Sequence, residues 1–454
     1  MNEIIAFELS KEYLDRFKIA IQETDVSFIK ESLEGVNPAD ITSLLFELNT
    51  EESKYVFDLL HPEISADILI ELDEETRNSF LENFTPDQIA LFVDEMDSDD
   101  GADILMDMDI KKREEIIAGM QNDNRALHIQ DLLRYDEDVA GGLMAKELIK
   151  ANINWNVLQC IDEIRKQAEN VEKIFSVYVV DDEDKLLGKV SLKKIILSND
   201  RVKVADIYDQ DVVTIETYLE EKEVAQIMQK YDLEAVPVVN ARGKLVGRIT
   251  IDDVLDVITE IAEEERQLMA GIVTDVEEDD SVWALSKARL PWLIIGMVGG
   301  LLAAQITDLF SADIKVIAGL ALFIPLIMAT GGNVGIQSSS IVVQSLAVKN
   351  AFSDGIGKRL LKVLIVAVVN GLVLAVLVFG SVLLIFQDQY LSYTVAIALF
   401  SVVLLASFMG TVTPLVLDNF GINPALASGP FITTANDLLG LAVYFSVAHL
   451  LYSF

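Results

Sequence analysis

Cysteine is nearly absent from this chain. A single thiol, Cys160, excludes a disulfide framework and any Cys-based metal cage. Histidine is scarce as well. His61, His128 and His449 lie far apart in sequence and give little material for a zinc, copper or nickel site. No Walker phosphate loop occurs, so nothing suggests that ATP is hydrolysed, and the chain does not read as an enzyme. The opening MNEIIAFELSKEYLDRF has no basic region and no apolar run of the secretory kind, so the long N-terminal part is expected to stay in the cytosol. The most informative absence is of charge. Of 73 acids and 35 bases, only six acids and five bases lie from Pro291 onward, and none of those acids is Glu. Residues 1–290 therefore hold 67 acids and 30 bases, a net of −37 out of −38.

An intensely acidic half is thus joined to a nearly neutral, apolar half. Acidity keeps a protein soluble, but this much self-repulsion weakens a compact state. The carboxylates favour a hard, oxygen-seeking cation such as Mg²⁺ or Ca²⁺. No nucleic-acid partner is expected.

Three N-terminal segments share a period of 24 residues, starting at Asn37-Pro38, His61-Pro62 and Thr85-Pro86. Each start reads as an N-cap followed by Pro at the first helical position. Apolar positions recur in register, as in Leu44, Ile68 and Phe92, or Leu48, Leu72 and Met96. Their spacing of three or four residues is that of amphipathic helices. Asn49-Thr50, Asp73-Glu74 and Asp97-Ser98 restart a second helix in each unit. The expectation is a small stacked α-solenoid. Its acids are densest at Asp94, Glu95, Asp97, Asp99, Asp100 and Asp103. A solvated face and helix-start acids commonly explain such a cluster, so alone it is a weak metal signal.

Residues 176–196 (SVYVVDDEDKLLGKVSLKKII) match residues 235–255 (AVPVVNARGKLVGRITIDDVL) at an offset of 59. Each carries a β-branched strand, a polar turn, a Gly step into a second strand, and a helix. The pair resembles tandem CBS domains. That resemblance implies a sensor, often of adenine nucleotides, which usually dimerises. After the second repeat, Asp253, Asp256, Glu260 and Glu263/Glu264 fall three or four apart and line one helix face. Such like charges repel by a few tenths of a kcal/mol per pair. An exposed helix and a cation-bridged face are equally good readings of them.

Hydropathy gives five membrane spans, at about 290–310, 314–346, 360–386, 391–417 and 428–453. The second is expected to be interrupted by Pro325 and by Gly331-Gly332-Asn333. Lys287, Arg289, Lys349, Lys358, Arg359 and Lys362 place the N-terminus inside and the C-terminus outside. Two polar constellations break the apolar pattern, around 325–340 and 423–437. Unwound backbone at membrane depth needs protein or a water-filled path to satisfy it. Asp437 is the only charge in the last span, and a lone intramembrane carboxylate points to function. Interhelical hydrogen bonding is its bland alternative.

GGNVGIQSSSIVVQ, NPALASGPFITTANDLLGLAVYF, the CBS pair and the acidic helical N-domain occur in one order. Together they resemble the MgtE family of bacterial magnesium channels over almost the whole chain. The resemblance implies an acidic all-α superhelical N-domain (1–136), two α/β CBS domains (137–200 and 201–260), a connecting helix (261–288) and a five-helix transmembrane pore domain (289–454). It implies a homodimer in the cell membrane that takes up Mg²⁺ along the two-fold axis. Asp437 matches the family's pore carboxylate, and Asn333, Gly331 and Gln337 match the polar signature of span two. Mg²⁺ bound between the N-domain, the CBS pair and the connecting helix would hold the pore shut. Asp253, Asp256 and Glu264 match acidic positions of that device, and Glu265 stands where an Asp is common. Asp97 and Asp100 are taken as the N-domain partners. Asn423 stands where the family often has Asp, which puts an ion site there in doubt. The alternatives are a secondary transporter of another divalent ion, such as Co²⁺ or Mn²⁺, and a membrane-anchored CBS sensor that conducts nothing.

Overall fold

Proline and a polar cap set the frame of the N-terminal repeat in the structure, a computed structural model that describes residues 9–168, 171, 173–274, 276, 281–347, 356–427 and 429–452. Helices Pro38–Phe46, Pro62–Ile70 and Pro86–Val93 begin at the three prolines. Pro is favoured there because its missing N–H needs no partner in the first turn. Helices Thr50–Phe57, Glu74–Leu81 and Ser98–Met106 form the second members of each pair. Leu44, Ile68 and Phe57 are buried, and Phe57 packs edge-on against Phe80 and Phe92. Successive first helices pack on one another, as a stacked solenoid requires.

The two α/β repeats build two three-stranded sheets. In the first, β1 (Ile149–Asn152) pairs parallel with β2 (Val177–Val180), which pairs antiparallel with β3 (Leu186–Val190). In the second, β4 (Ile215–Glu216), β5 (Ala235–Val239) and β6 (Leu245–Thr250) repeat that order. Even the register irregularity recurs, at Val179/Val180 and at Val238/Val239, 59 residues apart. The matched glycines have a shared physical cause. A Cβ on Gly188 would strike the Asp209 carbonyl, and one on Gly247 would meet the Met144 and Ala145 segment. Each lets a flanking segment cross the sheet closely, and Ala145 exchanges both backbone hydrogen bonds with Arg248.

The chain divides into two compact units, Met1–Ile258 and Thr259–Phe454. The acidic helix Ile251–Ala270 carries the chain from the first into the second. It starts ten residues earlier than the sequence reading placed the connecting helix, and Gly271, at φ +85°, ends it.

The second unit holds five helical segments long and apolar enough to cross a membrane: Val282–Leu309, Gly319–Leu346, Leu360–Phe386, Gln389–Asn419 and Pro424–Tyr452. Span four packs against spans two, three and five, and span one against span five. Leu320, Ile327, Val402, Leu441 and Tyr444 form the shared core, and the Tyr444 hydroxyl donates to the Leu320 carbonyl at 2.8 Å. Spans one and three show apolar side chains such as Leu293, Ile294, Leu364 and Ile365 on the outside, as a lipid-facing surface would.

One expectation fails here. Span two is not interrupted at Gly331-Gly332-Asn333; the helix Ile324–Ala347 runs straight through. Its irregular part lies earlier, as a tighter 3₁₀ stretch over Ala318–Phe323. The glycines serve packing instead, since the helix is unbroken there and their missing side chains admit Val402, Thr433 and Asn436. Span five is irregular where expected: Pro424–Ala427 is 3₁₀, and Gly429, at φ +55°, precedes the helix that begins at Pro430. Ser428 and Lys349 lie outside the described residues.

Candidate metal sites

The first candidate is a cleft in the cytosolic unit. It is open to solvent, about 1540 Å³ in volume, and lined by the N-domain repeat on one side and the CBS pair on the other. Asp97, Asp99 and Asp100 enter it from the start of helix Ser98–Met106, and Asp252 and Asp253 from the start of the acidic helix. Lys173 and Arg248 are the only bases among its described lining residues.

Helix starts explain why the acids gather here. In the first two repeats the residue before the second helix caps it: Asn49 accepts from the Glu52 amide at 2.9 Å and Asp73 from the Thr76 amide at 2.9 Å. In the third repeat Asp97 holds the same position but makes no capping bond. Its Oδ2 instead lies 3.8 Å from Arg248 Nη2 across the cleft. Asp253 accepts from the Thr250 amide at 3.0 Å and the Thr250 hydroxyl at 2.7 Å, which fixes its position.

The electrostatics are strained. Burial, then Asp100, Asp253, Asp97 and Glu147, push the buried Asp99 well above the carboxylate range. Burial, then Asp253, Asp103 and Asp97, push Asp100 up to about 8. Burial also raises Asp253, against the hydrogen bonds from Thr250. Burial and mutual repulsion both disfavour the charged form of these groups, and a cation among them would favour it. Asp97, Asp99 and Glu147 each bring a ligand atom within 4.8 Å of the others. The donors are all carboxylate oxygens, a set that suits Mg²⁺ or Ca²⁺ and not a softer metal.

Glu147 was missed in sequence. It is 6 % exposed and accepts from the Ser98 amide at 3.1 Å and the Ser98 hydroxyl at 2.6 Å. Burial alone would raise its pKa, but the bonds from His128 and Ser98 outweigh it and hold the group low. It therefore joins the N-domain to the CBS pair as an anion. Nothing in a run such as MAKELIK marks it, because its partners lie far along the chain.

Asp97, Asp100 and Asp253 thus share one cleft. Asp256 is exposed one turn further along the acidic helix and does not line the cleft. Glu264 and Glu265 lie later on the same helix, within the second unit.

The second candidate lies where spans two and five meet. Gly331, Gly332 and Gly335 let span five approach: Thr433 and Asp437 flank Gly332, and a Cβ on Gly335 would collide with the Asn436 amide. Asp437 is half-buried beside Gly332. Asn333 and Gln337, one turn apart, are exposed on one face of span two. Asn436 is 2 % exposed, and neither its amide nitrogen nor its oxygen has a hydrogen-bond partner. Asn423 accepts from the Ala425 amide at 2.9 Å and so caps the 3₁₀ turn. At the foot of span five, Gly429 and Gly271 meet the chain closely. A Cβ on Gly429 would strike the Met269 carbonyl, and one on Gly271 would strike Pro430. The end of the acidic helix therefore rests directly on the break that begins span five.

Three family profiles match the chain: a divalent cation transporter domain of the MgtE family over residues 324–447, an MgtE intracellular N domain over 36–138, and CBS domains over 138–198 and 204–260. The magnesium transporter MgtE of Thermus thermophilus is 33% identical over 95% of this chain and 97% of its own. That of Bacillus subtilis is 29% identical over 96% and 97%. Among solved structures, the cytosolic domain of the Mg²⁺ channel MgtE in complex with ATP aligns with a TM-score of 0.51 and 33% identity, covering 54% of this chain and 99% of that one. The soluble part of a magnesium transporter aligns with a TM-score of 0.50 and 26% identity, covering 56% and 99%. With the acidic cleft, the CBS pair and the five spans, these matches establish that the chain belongs to the MgtE family and is a multi-pass magnesium channel or transporter.

Proposed function

We propose that the chain is a Mg²⁺ channel held shut by Mg²⁺ in its own acidic cleft. The observation that carries this reading is the gathering of Asp97, Asp99, Asp100 and Asp253 from two domains around so little positive charge. Without a cation these groups repel or hold protons. With Mg²⁺ between them the N-domain and CBS pair draw together. A ligand that binds the compact arrangement better shifts the population toward it. Asp256, Glu264 and Glu265 extend the acidic face along the helix and take further ions.

That helix ends against Gly429, so its position bears on the foot of span five. Asp437 lines the ion path, with Asn333, Gln337 and the Gly331 backbone as polar neighbours. Mg²⁺ dehydrates reluctantly, so one carboxylate per subunit holding a hydrated ion suits the sparse charge. Two charges crossing 100 mV gain about 4.6 kcal/mol, which is drive enough without a coupled ion. Asn333 and Gln337 are exposed in a single chain, and amides do not face lipid. A second copy across a two-fold axis encloses them, which supports a homodimer.

The short-loop bases Lys287, Arg289, Lys358 and Lys362 support a cytosolic N-terminus. His449 and Asp313 meet at 3.1 Å, so the short helix Ser311–Val316 that follows span one lies on the same side as the last turns of span five, as an odd number of spans requires. The likeness to the ATP-bound cytosolic domain supports an adenine nucleotide as a ligand of the CBS pair.

The test is Mg²⁺ current at high cytosolic Mg²⁺ after neutralising Asp253, Asp256 and Glu264 together. The channel stays open on this reading, and normal closure sinks it. A coupled transporter of Co²⁺ or Mn²⁺ would instead show flux that follows a Na⁺ or H⁺ gradient.

A further inference from the structure

Arg248 stands out in a unit built from acids. It lies on β6 and is 5 % exposed. A guanidinium keeps its charge in any protein environment and offers five N–H donors in a fixed fork. Here Nη1 donates to the Lys173 carbonyl at 2.9 Å, and Nε has no partner. The group lies 5.5 Å from the centre of the Phe175 ring. Its ion pair with Asp97, at 3.8 Å, is longer than a hydrogen bond. A buried charge so loosely bonded is costly unless its surroundings need it. The surroundings are the acidic cleft, and Asp97 is the acid that leaves its helix start uncapped to face Arg248.

We propose that Arg248 is a tethered counter-ion that competes with Mg²⁺ for Asp97 and so sets the Mg²⁺ concentration at which the cleft closes. This rests on the metal-sensing reading of the cleft. A fixed positive charge beside Asp97 supplies part of the compensation that a divalent ion would otherwise supply. It also repels that ion at close range. Arg248 touches no ion itself; it is a positioning residue that tunes the carboxylates. By pairing with Asp97 and repelling the incoming ion, its charge weakens Mg²⁺ binding in the cleft and raises the Mg²⁺ concentration needed for ion-held closure.

The experiment is limited proteolysis of the full-length protein in detergent, titrated with Mg²⁺ alone. Replacing the charge, in Arg248→Met, lowers the Mg²⁺ concentration for half-protection by about tenfold, the scale of one unit charge near a divalent ion in a partly shielded site. Arg248→Lys keeps the charge and leaves the midpoint within about twofold. Arg248→Gln keeps donors for the Lys173 carbonyl without the charge and moves with Met. A midpoint that is unmoved or raised in both neutral variants overturns the proposal. A purely structural role predicts that outcome, with Lys failing alongside Met and Gln. If the wild-type chain shows no Mg²⁺-dependent protection, the sensing reading fails and this one with it. If the wild type responds and the neutral variants match it, only the role of Arg248 fails.

Discussion

Neutralising Asp100 tests the repulsion at the heart of the sensor. In the compact cleft its carboxyl is raised from 3.8 to about 8, by burial first and then by Asp253, Asp103 and Asp97. A carboxyl raised on closure binds its proton more tightly in the closed state. Closure without metal is therefore unopposed below about pH 4, increasingly opposed as pH rises, and fully opposed above about pH 8. Over the roughly three pH units up to neutrality the penalty is about 4 kcal/mol, at 1.36 kcal/mol per unit. Asp253, Asp103 and Asp97 share that repulsion, so Asp100→Asn recovers only part of it. A recovery of about 2 kcal/mol raises the closed fraction without metal about thirtyfold. The assay is limited proteolysis in EDTA. Wild-type protein is cut readily at pH 8 and gains resistance as pH falls toward 6. Asp100→Asn resists at pH 8 already and changes less with pH. Cleavage of Asp100→Asn at the wild-type rate in EDTA at pH 8 would refute the reasoning.

Three further outcomes follow from other contacts. Asp437→Asn removes the only charge of span five, and Mg²⁺ current in patch recordings falls at least about tenfold, because an amide holds a hydrated divalent ion more weakly. Ser98→Ala removes the hydroxyl that donates to the buried Glu147 and accepts from the Lys146 amide, costs about 1–3 kcal/mol, and lowers the melting temperature of the protein. Gly429→Ala adds a side chain at φ +55° against the Met269 carbonyl; the strain is about 1–2 kcal/mol, and current persists at millimolar cytosolic Mg²⁺.

Much of the architecture was legible because it is periodic. The 24-residue repeat shows itself through proline and apolar spacing, and the 59-residue offset through paired strands and glycines that the backbone needs. The spans follow from hydropathy. The acids of the candidate sites stood out only where one segment carries them, as Asp437 and the Asp97–Asp103 cluster do. Arg248 and Glu147 were missed because each gains its meaning from residues distant in sequence. A signal for Arg248 did exist: a lone base inside the otherwise uncharged strand Leu245–Thr250 of an acidic domain. Span two was misread because Gly331-Gly332 suggests a break in water-soluble chains. Between packed membrane helices the same glycines admit a neighbour and leave the helix whole. Asn436 appeared within the polar run of span five, but only packing against Gly335 reveals its unpaired amide.

The contact of Gly271 with Pro430 and of Gly429 with the Met269 carbonyl separates two kinds of work. On the proposed reading, detection in the cleft is done by charge, which added salt screens over about 8 Å at physiological ionic strength. The joint at the foot of span five is, among the described residues, a contact of backbone and ring. Raising ionic strength therefore dulls what the protein measures and leaves untouched how firmly the helix seats on the span. A channel in a cell of changing salt content would drift in its set point and yet shut just as completely once that point is reached.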